Sequence, residues 1–347
     1  MAKKIEKIRM AILKTLQDLD KAAGASQIQR HLLSQGIELQ PRTIRFHLLH
    51  LDQDGLTQFI SRRQGREITS RGREELARAD IAEKVGFVAT KIDTLGYRMS
   101  FNTETGTGTV IPNITTVRES YLARALSDMR SVFTRKLAMG TRLAIVHEGE
   151  QLGGLVVPPG MVAIGTVCSV TVNGILLSQG IPVTSRFGAL LEIKDGRPVR
   201  FVELINYTGT TLDPLEIFIQ AGMTRVRQCA RSGRGIIGAS FREFPSVAID
   251  DVHRLKKKME QCGLSSILAI GNPNQPLFDV PVAEGRTGMI VVAGLNPIAA
   301  LHEVGARMAI QSLSGLEAYE RFQSFDVFTD RGTSRSPVAP EDKWQVE

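Results

Sequence analysis

Residues 41–73 restrict the fold of this chain more than any other segment. Pro41 can start a helix, because the first turn of a helix leaves its N–H groups unpaired and proline has none to lose. Ile44, Leu48 and Leu51 follow at helical spacing and predict one buried stripe. A glycine turn, two short strand-like runs around a basic loop and a further helix come next. This order predicts a winged helix, in which a recognition helix precedes a β-hairpin wing.

The wing is predicted from the strand-like runs Leu56–Ser61 and Glu67–Thr69. In the loop between them, Gly65 can adopt the positive φ that a tight hairpin tip often requires. Arginines at such a tip suit phosphates or a narrow minor groove. We therefore predict DNA contacts from three loop residues, Arg62, Arg63 and Arg66.

The face of the predicted recognition helix opposite the buried stripe carries basic and aromatic side chains. Such a face can enter the major groove, where arginine pairs with guanine edges and apolar atoms meet thymine methyl groups. A solvated helix surface is the alternative, and the basic wing favours the DNA interpretation. The candidate DNA-binding residues on this helix are Arg42, Thr43, Arg45, Phe46 and His50.

Two helices are predicted before the recognition helix. The first covers about residues 5–19, and Ser26 would cap the second, which Gly36 would end. Charge agrees with a polyanionic partner here, because residues 1–80 hold 15 Lys/Arg against 10 Asp/Glu, whereas residues 81–347 hold 28 against 26. The expected partner is a double-stranded DNA operator, bound by a homodimer or a higher homo-oligomer.

Composition excludes several classes of protein. No stretch approaches the roughly 20 apolar residues of a membrane span, and the charged N-terminus has no signal-peptide core, so we expect a cytoplasmic protein. Three distant cysteines predict reduced thiols rather than disulfides or a zinc site. No spacing resembles a metal site, a phosphate-binding loop or a nucleophile motif, so we expect neither catalytic nor metal-binding residues nor a cofactor.

The larger part of the chain predicts a mixed α/β domain, which makes the whole an α+β protein with an N-terminal winged helix-turn-helix. The expected limits are 1–79 for the winged helix, 80–96 for a linker helix, 97–325 for the mixed domain and 326–347 for a flexible tail. A weak internal pseudo-repeat relates residues 180–191 to 279–291. Each copy leads to an Asx-Pro helix start, with long helices predicted over 214–231 and 297–313.

Several strings in this domain resemble the NrpR family of nitrogen-regulation repressors. They are Thr166–Ser169, Asn173-Gly174, Tyr207–Phe218, Ala239–Pro245 and Gly294–Pro297. The resemblance extends from the winged helix to about Phe325. It implies a repressor of nitrogen-assimilation genes, with 2-oxoglutarate as the inducer that lowers operator affinity. It also implies one effector domain, whereas some relatives carry two.

A small anionic metabolite such as 2-oxoglutarate needs paired positive groups and neutral hydrogen-bond donors. Candidates for the carboxylates are Arg186, Arg242 and Arg286, and the candidate donors are Thr210, Thr211 and Thr287. Cys168 and Asn173 are polar residues within an apolar run, for which structural burial is an equal alternative. Asn296 is predicted to be a helix cap. The alternatives for the whole chain are a regulator that responds to another anionic metabolite and an enzyme fused to a DNA-binding unit.

Overall fold

The computed structural model describes residues 2–19, 21–34, 39–76, 87–265 and 267–329. The chain divides into two compact units, Met1–Val85 and Gly86–Glu347, called here the first and second units. Among the described residues, no helix has both the length and the apolar character needed to cross a bilayer.

The first unit is a winged helix, as predicted. Its elements are α1 (Ala2–Leu19), α2 (Ala25–Ser34), α3 (Pro41–Gln53), β1 (Thr57–Ser61), β2 (Gly65–Ile68) and α4 (residues 70–76). The apolar stripes of α1, α2 and α3 meet in one core, which the hairpin closes. Its buried members include Ile12, Leu16, Ile28, Leu32, Ile44 and Leu48.

Gly65 is required by a close backbone approach as well as by a turn. It is buried at the start of β2 with φ +96°, and a Cβ placed on it would lie 2.2 Å from the carbonyl oxygen of Ala23. The neighbouring Arg66 exchanges two backbone hydrogen bonds with Ala23, at 2.8 and 3.1 Å. The segment before α2 therefore pairs with the wing.

Both ends of α2 were predicted from the sequence. Ser26 does not cap α2, because α2 begins at Ala25 and the carbonyl oxygen of Gly24 accepts the first helical hydrogen bonds, from the N–H groups of Gln27 and Ile28. The cap prediction was wrong because a glycine also suits the cap position. Gly36, the predicted end of this helix, lies outside the described residues.

The second unit mixes eight described helices with fourteen described strands. The helices are α5 (Phe87–Arg98), α6 (Leu122–Thr134), α7 (Thr171–Ser178), α8 (Pro214–Gln220), α9 (Val226–Ser232), α10 (Ile249–Gln261), α11 (Asn296–His302) and α12 (Phe325–Thr329). The first seven strands are β3 (Thr109–Val110), β4 (Pro112–Arg118), β5 (Arg142–Val146), β6 (Gln151–Leu152), β7 (Leu155–Val156), β8 (Met161–Val167) and β9 (Thr184–Lys194). The other seven are β10 (Arg197–Asn206), β11 (Gly235–Pro245), β12 (Ile267–Ile270), β13 (Arg286–Val292), β14 (Ala309–Gln311), β15 (Glu317–Ala318) and β16 (Gln323–Ser324).

Two five-stranded sheets organise this unit, with strand orders β10-β9-β11-β13-β12 and β14-β4-β8-β5-β16. Each sheet contains one copy of the same motif. The first copy runs β4, α6, β5, β8 and α7, and the second runs β11, α10, β12, β13 and α11. The strand after each copy joins the other sheet, because β9 pairs with β11 and β14 pairs with β4. The copies therefore exchange strands and form one body.

Two hydrogen bonds occupy equivalent positions in the two copies of this repeat. In the first copy, the N–H of Ile111 donates to the hydroxyl of Thr171 at 3.3 Å, at the start of α7. In the second copy, the N–H of Gly238 donates to the side-chain oxygen of Asn296 at 2.8 Å, at the start of α11. The polar residue at each helix start thus ties that helix to the residue just before β4 in the first copy and to β11 in the second.

The repeat predicted from the sequence was in the wrong register. It paired residues 186–191 with 286–291, but these lie in β9 and β13, on either side of β11 in a single sheet. They are therefore strands of one sheet and not equivalent positions of two copies. The short motifs that suggested the pairing mark loops leading into buried strands, and such loops recur without any repeat.

The two long helices predicted after the Asx-Pro pairs were also wrong. A turn separates α8 from α9, and α11 ends at His302 before β14 begins. Gly222 and Gly305 have φ of +66° and +74°, in the left-handed region that ends helices. The prediction failed because the helical spacing of apolar residues in the sequence continues through both breaks. The segments that follow also bury apolar side chains.

The predicted limits of the linker and tail fall partly outside the described residues. Residues 80–86 and 330–347 are not described. Residues 87–96 belong to α5, which packs against α7 within the second unit. Residues 326–329 complete α12.

Candidate functional sites

The outer face of α3 carries the side chains predicted to contact DNA. Arg42, Arg45, Phe46 and His50 are exposed, and Thr43 is half-buried. The Phe46 ring meets the His50 ring edge-on, with 4.6 Å between centroids, and 57% of Phe46 remains exposed. An exposed aromatic ring beside two guanidinium groups gives this helix apolar and cationic contacts on one face.

The wing separates its three predicted arginines into two roles. Arg62 and Arg63 are exposed at the tip. The side chain of Arg66 instead donates from Nε to Asp52 at 2.6 Å and lies over the Phe59 ring, 5.2 Å from its centroid. Arg66 therefore holds the wing against the end of α3, and its guanidinium is not presented at the tip as predicted.

Apolar exposure on this unit was not anticipated from the sequence. Leu49 on α3 is 55% exposed, and Phe59 on β1 is 49% exposed. Strand β1 exposes three consecutive residues, Gln58 to Ile60, which strict alternation does not predict. In the sequence, apolar residues outside the buried helical stripe were the signal for this exposure. These exposed apolar side chains extend the surface that a nucleic acid can contact.

The second unit buries a group of polar side chains on one face of β11. We call Cys168, Asn173, Tyr207, Ser240 and Arg242 the buried polar cluster; each is at most 8% exposed. Cys168 and Asn173 flank the start of α7, Tyr207 follows β10, and the other two residues alternate along β11. Alternation directs Ser240 and Arg242 to the same face of the sheet.

Arg242 is the dominant member of the buried polar cluster, because its side chain is completely buried. One guanidinium nitrogen donates to the carbonyl oxygen of Ser169 at 2.6 Å, and another donates to the Ser169 hydroxyl at 3.0 Å. Among the described residues, no carboxylate hydrogen-bonds to it. A buried cation normally has an acidic partner, because desolvation penalises an isolated charge heavily.

Unpartnered polar atoms concentrate beside this guanidinium. Of the five buried side-chain nitrogen and oxygen atoms without a partner in the described part of the chain, three belong to the cluster: Asn173 Oδ1, Ser240 Oγ and Arg242 Nε. The Nδ2 atom of Asn173 donates to Ser185 Oγ at 2.9 Å, and Ser185 is the cross-strand neighbour of Arg242. Asn173 therefore bonds to the residue that lies opposite Arg242 in the sheet.

The remaining members of the cluster stay neutral. Burial, reinforced by Asp213, raises the pKa of Cys168 to about 12. Burial also raises the pKa of Tyr207 far above its ordinary value. Both side chains are therefore protonated at neutral pH and can act as hydrogen-bond donors. Burial raises the pKa of Asp213 to about 6, although its carboxylate accepts from the N–H of Leu215 at 2.9 Å.

The other two predicted arginines lie elsewhere. Arg186 forms an ion pair with Glu243, and Arg286 donates to the Glu243 carbonyl oxygen and to Thr184 Oγ1, each at 2.9 Å. Glu243 adjoins Arg242 on β11, so its side chain points to the opposite face of the sheet. The predicted convergence of three arginines was therefore wrong. Glu243 compensates the charge of Arg186, and the sequence could not show this pairing.

The predicted threonines are engaged locally. Thr210 Oγ1 donates to the carbonyl oxygen of Leu212 at 2.9 Å within the loop before α8, and Thr211 is half-buried in the same loop. Thr287 is fully buried and shares a 3.0 Å hydrogen bond with Ser246. No described hydrogen bond joins any of them to the buried polar cluster.

One charged residue near the cluster was missed. Lys91 lies on the inward side of α5, in step with the buried Val88, Ile92 and Leu95. Burial lowers the pKa of its ammonium group, and the acidic side chains of Asp213 and Glu216 oppose that shift. A lysine at an apolar position of a helical stripe was the signal that would have identified it.

Two other features match expectations only in part. Asp213 caps α8, as an Asx-Pro start predicts. Asn296 does not cap α11; its side chain instead bonds Gly238 and the carbonyl oxygen of Leu137, the latter at 2.8 Å. The described residues contain no group of three or more His, Cys, Asp or Glu side chains placed to hold a metal.

Family models match both units. Residues 85–324 match the model described as NrpR regulatory domains NRD1 and 2. Residues 10–76 match the model described as a ribonuclease R winged-helix domain. A crystal structure of a nitrogen repressor-like protein from Methanococcus jannaschii is similar with a TM-score of 0.58 and 25% identity, over 68% of this chain and 97% of that one.

Similar proteins carry the same regulatory name. The global nitrogen regulator NrpRI of Methanosarcina mazei is 33% identical over 92% of this chain and 98% of its own length. The global nitrogen regulator NrpR of Methanococcus maripaludis is 29% identical over 89% of this chain but only 54% of its own length, so this chain spans about half of it. Because one family model covers most of the chain and NrpRI of Methanosarcina mazei matches nearly end to end, this protein belongs to the NrpR family of nitrogen regulators.

Proposed function

We propose that the protein is a DNA-binding transcriptional repressor of nitrogen-assimilation genes, released from its operator by 2-oxoglutarate. Family membership supports the regulatory role. The winged helix supports DNA as the partner, since the exposed Arg42 and Arg45 on α3 suit base edges and the exposed Arg62 and Arg63 suit phosphates. The second unit then supplies the control.

The buried guanidinium of Arg242 is the observation that carries the effector part of this proposal. It makes two hydrogen bonds to neutral groups of Ser169 and none to a carboxylate of the described residues. An anionic ligand would supply the missing negative charge. Charge-assisted hydrogen bonds from arginine to a carboxylate are among the strongest available to a protein.

The neighbouring atoms suit the rest of such a ligand. Arg242 Nε and Ser240 Oγ can both donate to a carboxylate. The side-chain amide of Asn173 can also donate to the ligand after a 180° rotation, because Ser185 Oγ can then donate to its oxygen instead. The neutral Tyr207 and Cys168 can donate to a keto oxygen. The cluster therefore offers one cation and several neutral donors, as a keto dicarboxylate requires.

Calorimetry on the full chain tests the effector. We expect 2-oxoglutarate to bind the wild type and to raise its melting temperature by mass action. Arg242→Met should weaken binding at least about 30-fold, since losing a buried charge partner costs about 2–5 kcal/mol. Arg286→Met is the matched control, because Arg286 is already bonded to Thr184 and Glu243. Wild-type affinity in Arg242→Met would remove the proposed site.

The same assay separates 2-oxoglutarate from other anionic metabolites. Glutarate lacks the keto oxygen and glutamate replaces it with an ammonium group. We expect both to bind more weakly than 2-oxoglutarate, because neither presents an acceptor to Tyr207 and Cys168. Tighter binding of either one would assign a different effector to the same cluster.

A further inference from the structure

Helix α5 packs closely on α7 at two glycines. A Cβ placed on Gly174 of α7 would lie 2.9 Å from the carbonyl oxygen of Gly96 on α5 and 2.5 Å from Cε of Met99, the residue that follows α5. A Cβ placed on Gly96 would instead meet only ordinary contacts, 3.7 Å from Asn173 Cβ and from Gly174 N. The contact is therefore tight on the α7 side and tolerant on the α5 side.

This contact adjoins the buried polar cluster. Asn173 belongs to the cluster and immediately precedes Gly174, and its Cβ would lie 3.7 Å from a Cβ placed on Gly96. A ligand bonded to Asn173 pulls on this turn of α7. Because Gly174 lies against the Gly96 carbonyl group, with the Met99 side chain beside it, a shift of this turn displaces α5.

A charge on α5 also lies near the cluster. Lys91 is half-buried on the same side of α5 as Ile92 and Leu95, and Asp213, which also acts on Cys168, attracts its ammonium group. An anion held by Arg242 would attract that ammonium group. Helix α5 therefore has both a mechanical and an electrostatic connection to the site.

The chain then continues from this helix toward the DNA-binding unit. Helix α5 is the first described element of the second unit, and residues 77–86 join it to α4 of the first unit. We propose that the α5–α7 contact at Gly96 and Gly174 transmits occupancy of the buried polar cluster to the winged helix. This inference rests on the proposed effector function.

Two glycine substitutions test the proposal with a matched control. Gly174→Ala and Gly96→Ala add the same methyl group and the same helix propensity, but only the first one meets a backbone oxygen at 2.9 Å. We would measure the affinity of each full-length variant for operator DNA, obtained by binding-site selection, with and without saturating 2-oxoglutarate. The ratio of the two affinities is the coupling, typically about 5- to 150-fold.

We expect Gly96→Ala to keep the wild-type ratio and Gly174→Ala to change it at least threefold. Lys91→Met provides a second variant should Gly174→Ala fail to fold, as judged by circular dichroism, and it should also lower the ratio. Wild-type coupling in every folded variant among Gly174→Ala and Lys91→Met would overturn the α5 route alone. Absence of 2-oxoglutarate binding to the wild type in calorimetry would overturn the proposed effector, and the route with it.

Discussion

Asn296 and Gly238 hold each other through two hydrogen bonds deep in the second unit. The side-chain oxygen of Asn296 accepts from the Gly238 N–H at 2.8 Å, and its Nδ2 donates to the Gly238 carbonyl oxygen at 3.0 Å. A Cβ on Gly238 would lie 2.9 Å from that side-chain oxygen, so only glycine permits the approach. The pair fixes α11 on β11, as Thr171 fixes α7 beside Ile111.

Replacing Asn296 with Ala should destabilise the second unit by about 3 kcal/mol, because buried backbone groups lose their partners at about 1–3 kcal/mol each. Thr171→Val is the comparison, since Thr171 accepts a single bond of 3.3 Å. It should cost about 1 kcal/mol. Urea unfolding monitored by circular dichroism gives both values, and equal losses would contradict the ranking.

Gly65→Ala should disrupt the wing, because the new methyl group would lie 2.2 Å from the Ala23 carbonyl oxygen. Gly55→Ala is the control: Gly55 also has positive φ, +70°, but its Cβ would meet only the Arg71 side chain, at 3.6 Å. Backbone strain alone costs about 1 kcal/mol. We therefore expect Gly65→Ala to lose at least about 2 kcal/mol more than Gly55→Ala in thermal unfolding.

The two arginine pairs of the first unit should affect DNA binding differently. Arg42→Ala with Arg45→Ala should abolish discrimination between operator and random DNA, since each base-reading pair contributes about 1–3 kcal/mol. Arg62→Ala with Arg63→Ala should weaken all DNA alike and reduce the salt slope by about 2. Fluorescence anisotropy against salt concentration distinguishes these outcomes.

Two exposed arginines of the second unit, Arg98 and Arg130, provide the control for charge. Their joint replacement by Ala removes the same number of positive charges and should leave discrimination and salt slope unchanged. An equal effect from this pair would mean that net charge, rather than the winged-helix surface, governs binding.

Asp213 should make the stability of the protein depend on pH. Burial, opposed by the hydrogen bond from Leu215 N–H, raises its pKa from 3.8 to about 6. The folded protein therefore keeps this proton to higher pH than the unfolded chain does. The resulting stabilisation is complete below about pH 4 and is lost as the pH rises through about 6, a change of about 3 kcal/mol.

Asp213→Asn keeps a side chain that can cap α8 but removes the titration. We expect the unfolding free energy of this variant, minus that of the wild type, to increase by about 2 kcal/mol between pH 4 and pH 7. Urea titrations at several pH values measure this difference, in which other titrating groups cancel. A constant difference would show that Asp213 has an ordinary pKa in the folded protein.

The winged helix was predictable because its signals are local. Pro41 starts α3, Ile44, Leu48 and Leu51 fall on its buried side, and the wing follows directly in the chain. Spacing along a helix decides which side chains share a face, so the exposed Arg42 and Arg45 followed from the same reasoning. The role of Arg66 did not follow from helical spacing, because its partner Asp52 lies on another element.

The buried polar cluster was only partly predictable. Cys168 and Asn173 stood out as polar residues within an apolar run and Arg242 as a candidate partner for a carboxylate, and the structure buries all three. Tyr207 and Lys91 join them from distant parts of the chain, and no sequence spacing relates residues that separate elements bring into contact. The resemblance to the NrpR family gave the expected ligand class, but it did not give these contacts.

The sequence by itself determined the helices and hairpin of the winged helix, the order of a basic winged helix before an α/β body, and which polar residues interrupt apolar runs. Tertiary structure decided that β9 and β14 each pair with a strand of the other copy. It also decided that Arg186 forms an ion pair with Glu243 rather than joining Arg242, and that Asn296 bonds a strand instead of capping its helix. The physical reason is that periodicity acts between near neighbours in the chain. Charge compensation and the pairing of buried polar groups depend on which distant segments the fold places within hydrogen-bonding distance.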